Sequence, residues 1–319
     1  MIVFSTMFRL RAGFDSIPSD LGTLVAVDAL KKRGLDTASV EGYYGKSKGG
    51  ASGGTLASVF GLFQLPTKQL MALGDPYYLN PRDDGKKLGP TPAGCGDRVG
   101  LSYRREAGGW TMPFVMAAVN TRVVRRSAAL AATAGGPHAK GYGPHFKYNE
   151  SLACKPNGGI VAGLVVTLGM PLFAMLAFFA PTRALLQALV HRCGLAPGQG
   201  PSREVQRTGF FEALFVAKSE PKTAGAPPET VAVSVKGIQD PGYAETAKML
   251  AEAALCLVDQ QKQLAGGAEA SSLDVPHPGG GVLTPAVALG MPLVERLRAK
   301  GMSFAVVENS DSDTKPKIQ

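Results

Sequence analysis

The pattern of apolar and polar positions along the chain predicts a series of strands and helices. Short apolar runs bounded by Gly, Pro and Asp are typical of strands, and longer segments with apolar residues three or four positions apart are typical of helices. Strands are predicted at residues 2–10, 37–44, 146–152, 210–218, 230–237 and 302–307, and helices at residues 20–32, 55–65, 110–130, 243–258 and 285–300. This order indicates a mixed α/β (α+β) fold. The Pro- and Gly-rich loop after residue 220 predicts that the strands on either side of it form an antiparallel hairpin.

A polar corner separates the first predicted strand from the first predicted helix. It has the sequence GFDSIPSDLG at residues 13–22. Pro18 has a fixed φ angle, and Ser19 is predicted to cap the helix with Asp20 in its first turn. A corner at the carboxyl end of a strand is where an open α/β sheet commonly meets its ligand. The same residues also describe an ordinary helix start, which is the simpler interpretation of these residues alone.

A Gly/Ser/Lys loop at residues 46–54 leads into the next predicted helix. Its glycines at positions 49, 50, 53 and 54 would let backbone amides approach a ligand. Ser52 and Thr55 add hydroxyl groups near the helix N-terminus, so the loop is a candidate cradle for an anion or a substrate carbonyl. It lacks the spacing of a Walker loop. A flexible loop with no ligand is the alternative.

Residues 160–180 contain no charged side chain, which is unusual for a helix of a soluble enzyme. Gly169 and Pro171 interrupt the run and predict two apolar half-helices bent at residues 169–171. Such a pair could insert into lipid from one side, or it could form a buried helical hairpin. The pattern alone leaves both interpretations open.

Composition narrows the classes of function. The 319 residues include 45% hydrophobic and 18% charged residues, with a net charge of +9, which indicates a folded basic protein. No basic run is interleaved with aromatic residues, so nucleic-acid binding is not expected. Phosphates of a cofactor or of a membrane surface suit the excess charge better. The four cysteines are widely spaced, so neither a zinc site nor another metal site is predicted.

Six segments, spread from residue 13 to residue 304, resemble the saccharopine dehydrogenase-like oxidoreductases. They occur in the order GFDSIPSDLG, GGASGGTLAS, WTMPFVMAAVNTRVVRRS, PGQGPSREVQRTGFFEALFVA, DPGYAETAKMLAEAALCL and LTPAVALGMPLVERLRAKGMSF. Proteins of this family begin with a Rossmann domain, and by the resemblance this chain starts near the end of that domain. The dinucleotide-binding glycine motif of the family is absent from the chain.

The resemblance implies a division of the chain into parts. Residues 1–35 would be a remnant of the nucleotide-binding domain and its Rossmann sheet. Residues 36–282 would form a substrate and dimerisation domain with a mostly antiparallel sheet covered by helices, including a hydrophobic helical hairpin at residues 160–190. Residues 283–308 would pack back on the nucleotide-binding domain, and residues 309–319 would be a disordered tail.

The resemblance also implies a chemistry. Similar bacterial trans-acting enoyl reductases reduce a double bond on lipids destined for glycolipids, and the cofactor of the complete fold is NAD(P). Without its phosphate-binding turn, the chain alone is not expected to bind NAD(P)H tightly. The strand at residues 146–152 would bring Tyr148 and Glu150 to the substrate side. The expected cofactor-binding residues are Asp15, Ser16, Ser19 and Asp20, the expected substrate-binding residues are Ser52, Gly53, Gly54 and Thr55, and no catalytic residue is assigned.

The expected partners are a lipid substrate, a lipid-droplet or membrane surface, and a second copy of the chain in a homodimer. The expected location is the cytosolic face of a membrane or lipid droplet. The segment MFRLRAGF is faintly like an Arg-bearing transit segment, which also allows a mitochondrial location. The alternative function is a catalytically inactive protein of lipid droplets or membranes that retains the fold.

Overall fold

A computed structural model describes residues 14–50, 53–133, 141–154, 159–198, 200–223, 225–265 and 282–307. The predicted strand at residues 2–10 and the predicted tail at residues 309–319 lie outside this part of the chain. The helices and strands of the described part follow in the order α1 (Ile17–Lys31), β1 (Thr37–Lys48), α2 (Gly53–Leu62), α3 (Thr67–Ala72), β2 (Arg82–Asp83), β3 (Lys86–Lys87), β4 (Ser102–Arg104), β5 (Gly109–Met112), α4 (Ala117–Thr133), β6 (Lys147–Ala153), α5 (Gly159–Phe178), α6 (Ala180–Arg192), α7 (Arg203–Thr208), β7 (Phe210–Ser219), β8 (Thr230–Gly237), α8 (Ala244–Ala265), α9 (Pro285–Ala288), α10 (Gly290–Ala299) and β9 (Ser303–Val307).

One seven-stranded sheet organises the molecule, with the strand order β4-β5-β6-β1-β7-β8-β9. Strands β1 and β6 pair in parallel, and the other neighbours are antiparallel. The mixed fold class is therefore confirmed. The predicted hairpin is β7–β8, in register from Phe211 opposite Gly237 to Lys218 opposite Thr230.

Helix α1 lies at the centre of the core that covers one face of this sheet. It contacts β1, β7 and β8 beneath it, and helices α4, α9 and α10 beside it. Ile17 and Leu21 of α1 are buried together with Phe215 of β7 and Leu293 of α10. Gly22 allows the helix to approach the sheet this closely, because a Cβ atom there would lie 2.5 Å from the Phe215 ring. The apolar sequence of α1 is thus explained by burial on nearly all sides.

Several predicted helix boundaries were wrong: the helix predicted at 285–300 is divided at Leu289 into α9 and α10, and the helix predicted at 243–258 runs on to Ala265. Helix α1 begins at Ile17, so Ser19 lies inside the helix and is not its cap. Proline in the first turn of a helix needs no hydrogen-bond donor, which allows Pro18 to lie within α1. The helix predicted at 110–130 begins only at Ala117, because Gly109–Met112 pairs with β4 and β6 at the sheet edge. The secondary structure of this segment was decided by pairing with neighbouring strands and not by the local sequence pattern.

The apolar run forms one continuous helix, α5, and the bend predicted at residues 169–171 was wrong. Pro171 lies inside this helix, and the chain turns at Phe179 into α6, which packs against α5. Both halves of α5 are fixed by packing. Gly163 lies against Leu101 and Met112 in the first half, and the ring of Phe173 lies 5.7 Å from that of Phe60 in the second. These contacts stabilise α5 on both sides of Pro171, which removes one of its backbone hydrogen bonds.

Candidate functional site

A buried polar cluster lies between α1, α4 and the parallel strand pair β1–β6. It consists of Ser16, Ser19, Tyr44, Asn120, Tyr148 and Glu150. Because β1 and β6 pair with Gly42 opposite Glu150, every second side chain of these strands points to the face covered by α1. Gly42 leaves room there. A Cβ atom at this position would lie 3.1 Å from the Tyr148 hydroxyl and 3.3 Å from Cγ of Glu150.

Hydrogen bonds connect the members of this cluster. The Tyr148 hydroxyl donates to Oε1 of Glu150 at 2.6 Å, and Nδ2 of Asn120 donates to Oε2 at 3.1 Å. The Ser16 hydroxyl donates to Oδ1 of Asn120 at 3.4 Å. The hydroxyl groups of Ser19 and Tyr44 are hydrogen-bonded to each other at 2.6 Å. The carboxyl group of Glu150 is therefore the acceptor on which several of these side chains converge.

Burial sets the charge state of the cluster. It raises the pKa of Glu150 to about 7, although hydrogen bonds from Ser19, Tyr148 and Asn120 oppose the shift. Burial also raises the pKa of Tyr44 and of Tyr148 well above 10, so both phenols stay protonated at neutral pH. The cluster thus contains one carboxyl group that can gain or lose a proton near neutral pH. Groups of this kind serve as proton donors or acceptors in active sites.

Asp20 belongs to a second buried arrangement, which joins three helices. The Ser127 hydroxyl of α4 donates to Oδ1 of Asp20 at 2.6 Å, and the Ala286 amide of α9 donates to Oδ2 at 2.7 Å. Thr284 in turn contacts the Ser127 hydroxyl at 2.7 Å. Burial raises the pKa of Asp20 to about 7 against these two hydrogen bonds. Asp20 therefore occupies the acceptor position at the N-terminus of α9, where a capping side chain would otherwise lie.

The residues expected to bind the cofactor are separated by this arrangement. Ser16 and Ser19 are fully buried and lie in the polar cluster beside Glu150. Asp20 is also fully buried and is bonded to α4 and α9. Asp15, just before α1, is exposed. The structure brings the two serines together with Glu150, and it does not place the four side chains on one open surface.

The residues expected to bind substrate lie at the beginning of α2 and just before it. Ser52 lies outside the described part of the chain, and Gly54 and Thr55 are exposed. Gly53 is buried against the chain itself, because a Cβ atom there would lie 1.9 Å from the carbonyl oxygen of Ala196. The neighbouring Gly50 amide donates to the Asp240 carboxylate at 3.0 Å. These glycines allow close packing of the loop on neighbouring segments of the same chain.

Sequence reasoning missed Tyr44 and Asn120. Tyr44 lies at an apolar position of a strand, where a tyrosine is commonly part of the core. Asn120 lies on α4 beside basic residues, and nothing in the local sequence pairs it with Glu150. Only the parallel pairing of β1 with β6 and the packing of α4 on β6 bring these groups together. Within the described residues, no group of three or more His, Cys, Asp or Glu side chains could bind a metal ion.

Curated proteins of mycobacteria match most of the chain. A Mycobacterium tuberculosis protein provisionally named a trans-acting enoyl reductase is 34% identical over 303 residues. The trans-acting enoyl reductases of Mycobacterium ulcerans and Mycobacterium bovis are 31% and 32% identical over 315 and 314 residues. This chain is similar to the trans-acting enoyl reductases. Each match covers 92% of this chain and 65% of the relative, so the chain spans slightly less than two thirds of the relatives' length. No family model and no solved structure matches it.

Proposed function

We propose that the chain is the substrate and dimerisation part of an NAD(P)H-dependent oxidoreductase that reduces an enoyl or carbonyl group of a lipid. The observation that carries this proposal is the similarity to trans-acting enoyl reductases over 92% of the chain. The six segments that resemble saccharopine dehydrogenase-like oxidoreductases point to the same chemistry and to glycolipid metabolism as its setting. The buried polar cluster is compatible with that chemistry, because it contains a carboxyl group that titrates near neutral pH.

The described residues do not fit a dinucleotide. A dinucleotide site needs glycines that let backbone amides reach the pyrophosphate. Here Gly49 lies against Asp240, Gly50 against Pro201 and Gly53 against Ala196, so these glycines serve close packing within the chain, and the Gly50 amide already donates to the Asp240 carboxylate. NAD(P)H is therefore proposed for the complete protein, and the described residues are not proposed to hold it.

The chain's own contribution to the reduction is proposed to be proton handling. Reduction of a polarised double bond requires a hydride, which the nicotinamide supplies, and a proton. Glu150 can hold this proton near neutral pH, and Tyr148 and Asn120 fix the orientation of its carboxyl group.

The test uses a chimera in which the N-terminal nucleotide-binding segment of the Mycobacterium tuberculosis relative precedes this chain. Oxidation of NADPH is followed by absorbance with a long-chain 2-enoyl thioester as substrate. We expect activity in the chimera and a loss of roughly 100-fold in kcat in Glu150→Gln, because general acid–base groups contribute about that factor. Glu106→Gln is the matched control, since Glu106 pairs with Lys218 on the opposite face of the sheet. Equal rates in the two variants would remove Glu150 from the proposal.

A second candidate function is a catalytically inactive protein that acts on a lipid surface. It is favoured by α5, an uncharged apolar helix whose side chains are mostly exposed. The same chimera discriminates between the two candidates. A folded chimera that binds NADPH but oxidises it with neither enoyl nor carbonyl lipids would favour the inactive protein.

A further inference from the structure

We propose that one side of the molecule is an apolar platform that docks on an anionic phospholipid leaflet. The platform consists of α2, α5 and α6 together with the exposed aromatic pair Tyr103–Trp110. The proposal does not rest on the reductase function, because it is carried by exposure and charge at a surface away from the buried polar cluster.

Helix α5 provides most of the apolar surface. Only a narrow stripe of this helix packs on the protein, including Gly163, Phe173 and Ala177. The remaining faces carry apolar side chains where a helix in water carries polar ones. Six large side chains of α5 that are between 47% and 71% exposed are Val161, Leu164, Val165, Leu168, Leu172 and Met175. An exposed apolar surface of this size marks an interaction site.

The helices beside α5 extend this surface. Phe60 and Phe63 of the α2 region lie 5.7 and 6.3 Å from the ring of Phe173, which attaches that region to α5. Arg183 of α6 donates to the carbonyl oxygen of Phe63 at 3.0 Å. Further exposed apolar side chains on these neighbouring segments are Leu62, Leu65, Leu185 and Leu189.

An aromatic pair lies on the same side of the sheet as α5. Trp110 and Tyr103 pack edge to face with their ring centroids 5.9 Å apart, and both are exposed. Trp110 shares its face of β5 with Met112, which lies under Gly163 of α5. Tryptophan and tyrosine are the side chains that concentrate at the boundary between membrane and water.

The charges of the platform select an anionic surface. Residues 53–65 and 159–202 contain no Asp or Glu, whereas residues 159–202 contain the cations Arg183 and Arg192. Each basic residue near an anionic leaflet strengthens binding by about fivefold, the equivalent of about 1 kcal/mol. A second copy of the chain is a poorer occupant. In a two-fold interface the same patch meets itself, so these cations would gain no acidic partner from it.

The way α5 is held decides how it would enter lipid. Gly163 lies against Leu101, Cys154 and Met112, so one side of α5 is fixed to the sheet edge. A helix held in this way cannot be surrounded by lipid and cannot cross a bilayer alone. It can lie in the plane of one leaflet with its exposed faces in the acyl region, as an interfacial helix does.

The experiment uses the chain's single tryptophan as its probe. The purified chain is mixed with vesicles of phosphatidylcholine and phosphatidylglycerol, or of phosphatidylcholine alone, and binding is measured by co-sedimentation and by Trp110 emission. We expect binding with a blue shift of the emission on the anionic vesicles and roughly tenfold or more weaker binding on the neutral ones.

Variants locate the docking surface. Leu168→Glu and Val165→Glu change exposed positions of α5, so their folding can be verified by circular dichroism, and each should weaken vesicle binding by roughly tenfold or more. Leu250→Glu, at a position of α8 that is 52% exposed, is the matched control and should bind like the unchanged chain. Arg192→Glu should weaken the preference for phosphatidylglycerol.

Two results would overturn the proposal. One is an unchanged chain that stays in solution with both kinds of vesicle. The other is an oligomer, seen by sedimentation velocity, that Leu168→Glu dissociates and Leu250→Glu does not, because a second copy would then cover the platform. Neither result bears on the NADPH assay, so this proposal and the proposed reductase function can fail separately.

Discussion

Two buried carboxyl groups, Asp20 and Glu150, have similar acidities and different structural roles. Burial raises the pKa of each to about 7. Asp20 accepts hydrogen bonds from α4 and α9, so its role in the structure is to fix α1 to these helices. Glu150 accepts them from Tyr148 and Asn120 within the polar cluster. The positions of the donors, and not the acidities, distinguish the two groups.

The raised pKa values of Asp20 and Glu150 predict how stability depends on pH. From about pH 4 to about pH 7 the folded protein holds protons on Asp20 and Glu150 that the unfolded chain has released. The free energy of unfolding should therefore fall as pH rises through this window and level off above it, by about 1.4 kcal/mol per pH unit for each proton. Glu150→Gln should make the slope of the unfolding free energy against pH shallower by the contribution of one carboxyl group.

Urea unfolding at a series of pH values measures the effect. The exposed Glu204 of α7 provides the control, because Glu204→Gln should keep the slope of the unchanged protein. A Glu150→Gln variant whose slope equals that of Glu204→Gln would show that Glu150 is not protonated in the folded protein below pH 7.

At the scale of the element, α1 and α5 show opposite relations between apolar sequence and burial. Both helices are apolar around most of their circumference. Helix α1 is buried by the sheet and by three helices, whereas α5 contacts the protein along one stripe only. Composition does not distinguish these two environments, because burial depends on what packs against the helix.

The close contact of α1 with the sheet gives a prediction for two glycines. Gly22→Ala should destabilise the protein by about 1–3 kcal/mol, because the added Cβ atom would lie 2.5 Å from the Phe215 ring. Gly61→Ala on α2 is the matched control. Nothing lies within 4 Å of a Cβ atom at Gly61, so alanine there should be neutral or stabilise by up to about 1 kcal/mol.

Thermal or urea unfolding of the two variants compares these effects. We expect the free energy of unfolding to fall in Gly22→Ala and to stay unchanged or rise in Gly61→Ala. Equal unfolding free energies for Gly22→Ala and Gly61→Ala would mean that α1 can move away from β7 without loss, contrary to its central place in the core.

At the scale of the whole molecule, the sheet carries helices and a compact core on one face, with an apolar platform near its β4–β5 edge. The homodimer and the division into domains stay predictions. If the platform docks on lipid as proposed, the homodimer must use another surface of the molecule.

The purified chain should not bind NADPH tightly. The glycines at the start of α2 pack against Asp240, Pro201 and Ala196, and the serines of α1 are buried. Calorimetric titration with NADPH measures this directly, and the chimera described above is the positive control. A dissociation constant of the isolated chain in the low micromolar range would show that the described residues do form a nucleotide site.

The sequence by itself determined the mixed fold class, the β7–β8 hairpin and the uncharged character of α5. These properties follow from local periodicity and from turn residues, which act over a few positions of the chain. The sequence also pointed to Ser16, Ser19 and Asp20 as a group worth attention.

Only the tertiary structure decided where those side chains point. Whether Trp110 lies on a helix or on a strand depended on pairing with β6, and the partners of Ser19 and Asp20 come from segments 25 and more than 100 residues away. Local propensity carries no information about such distant contacts. The parallel pairing of β1 with β6 brings Tyr44, Tyr148 and Glu150 together on one face of the sheet. Burial of α1 on the same face places its polar first turn above these side chains.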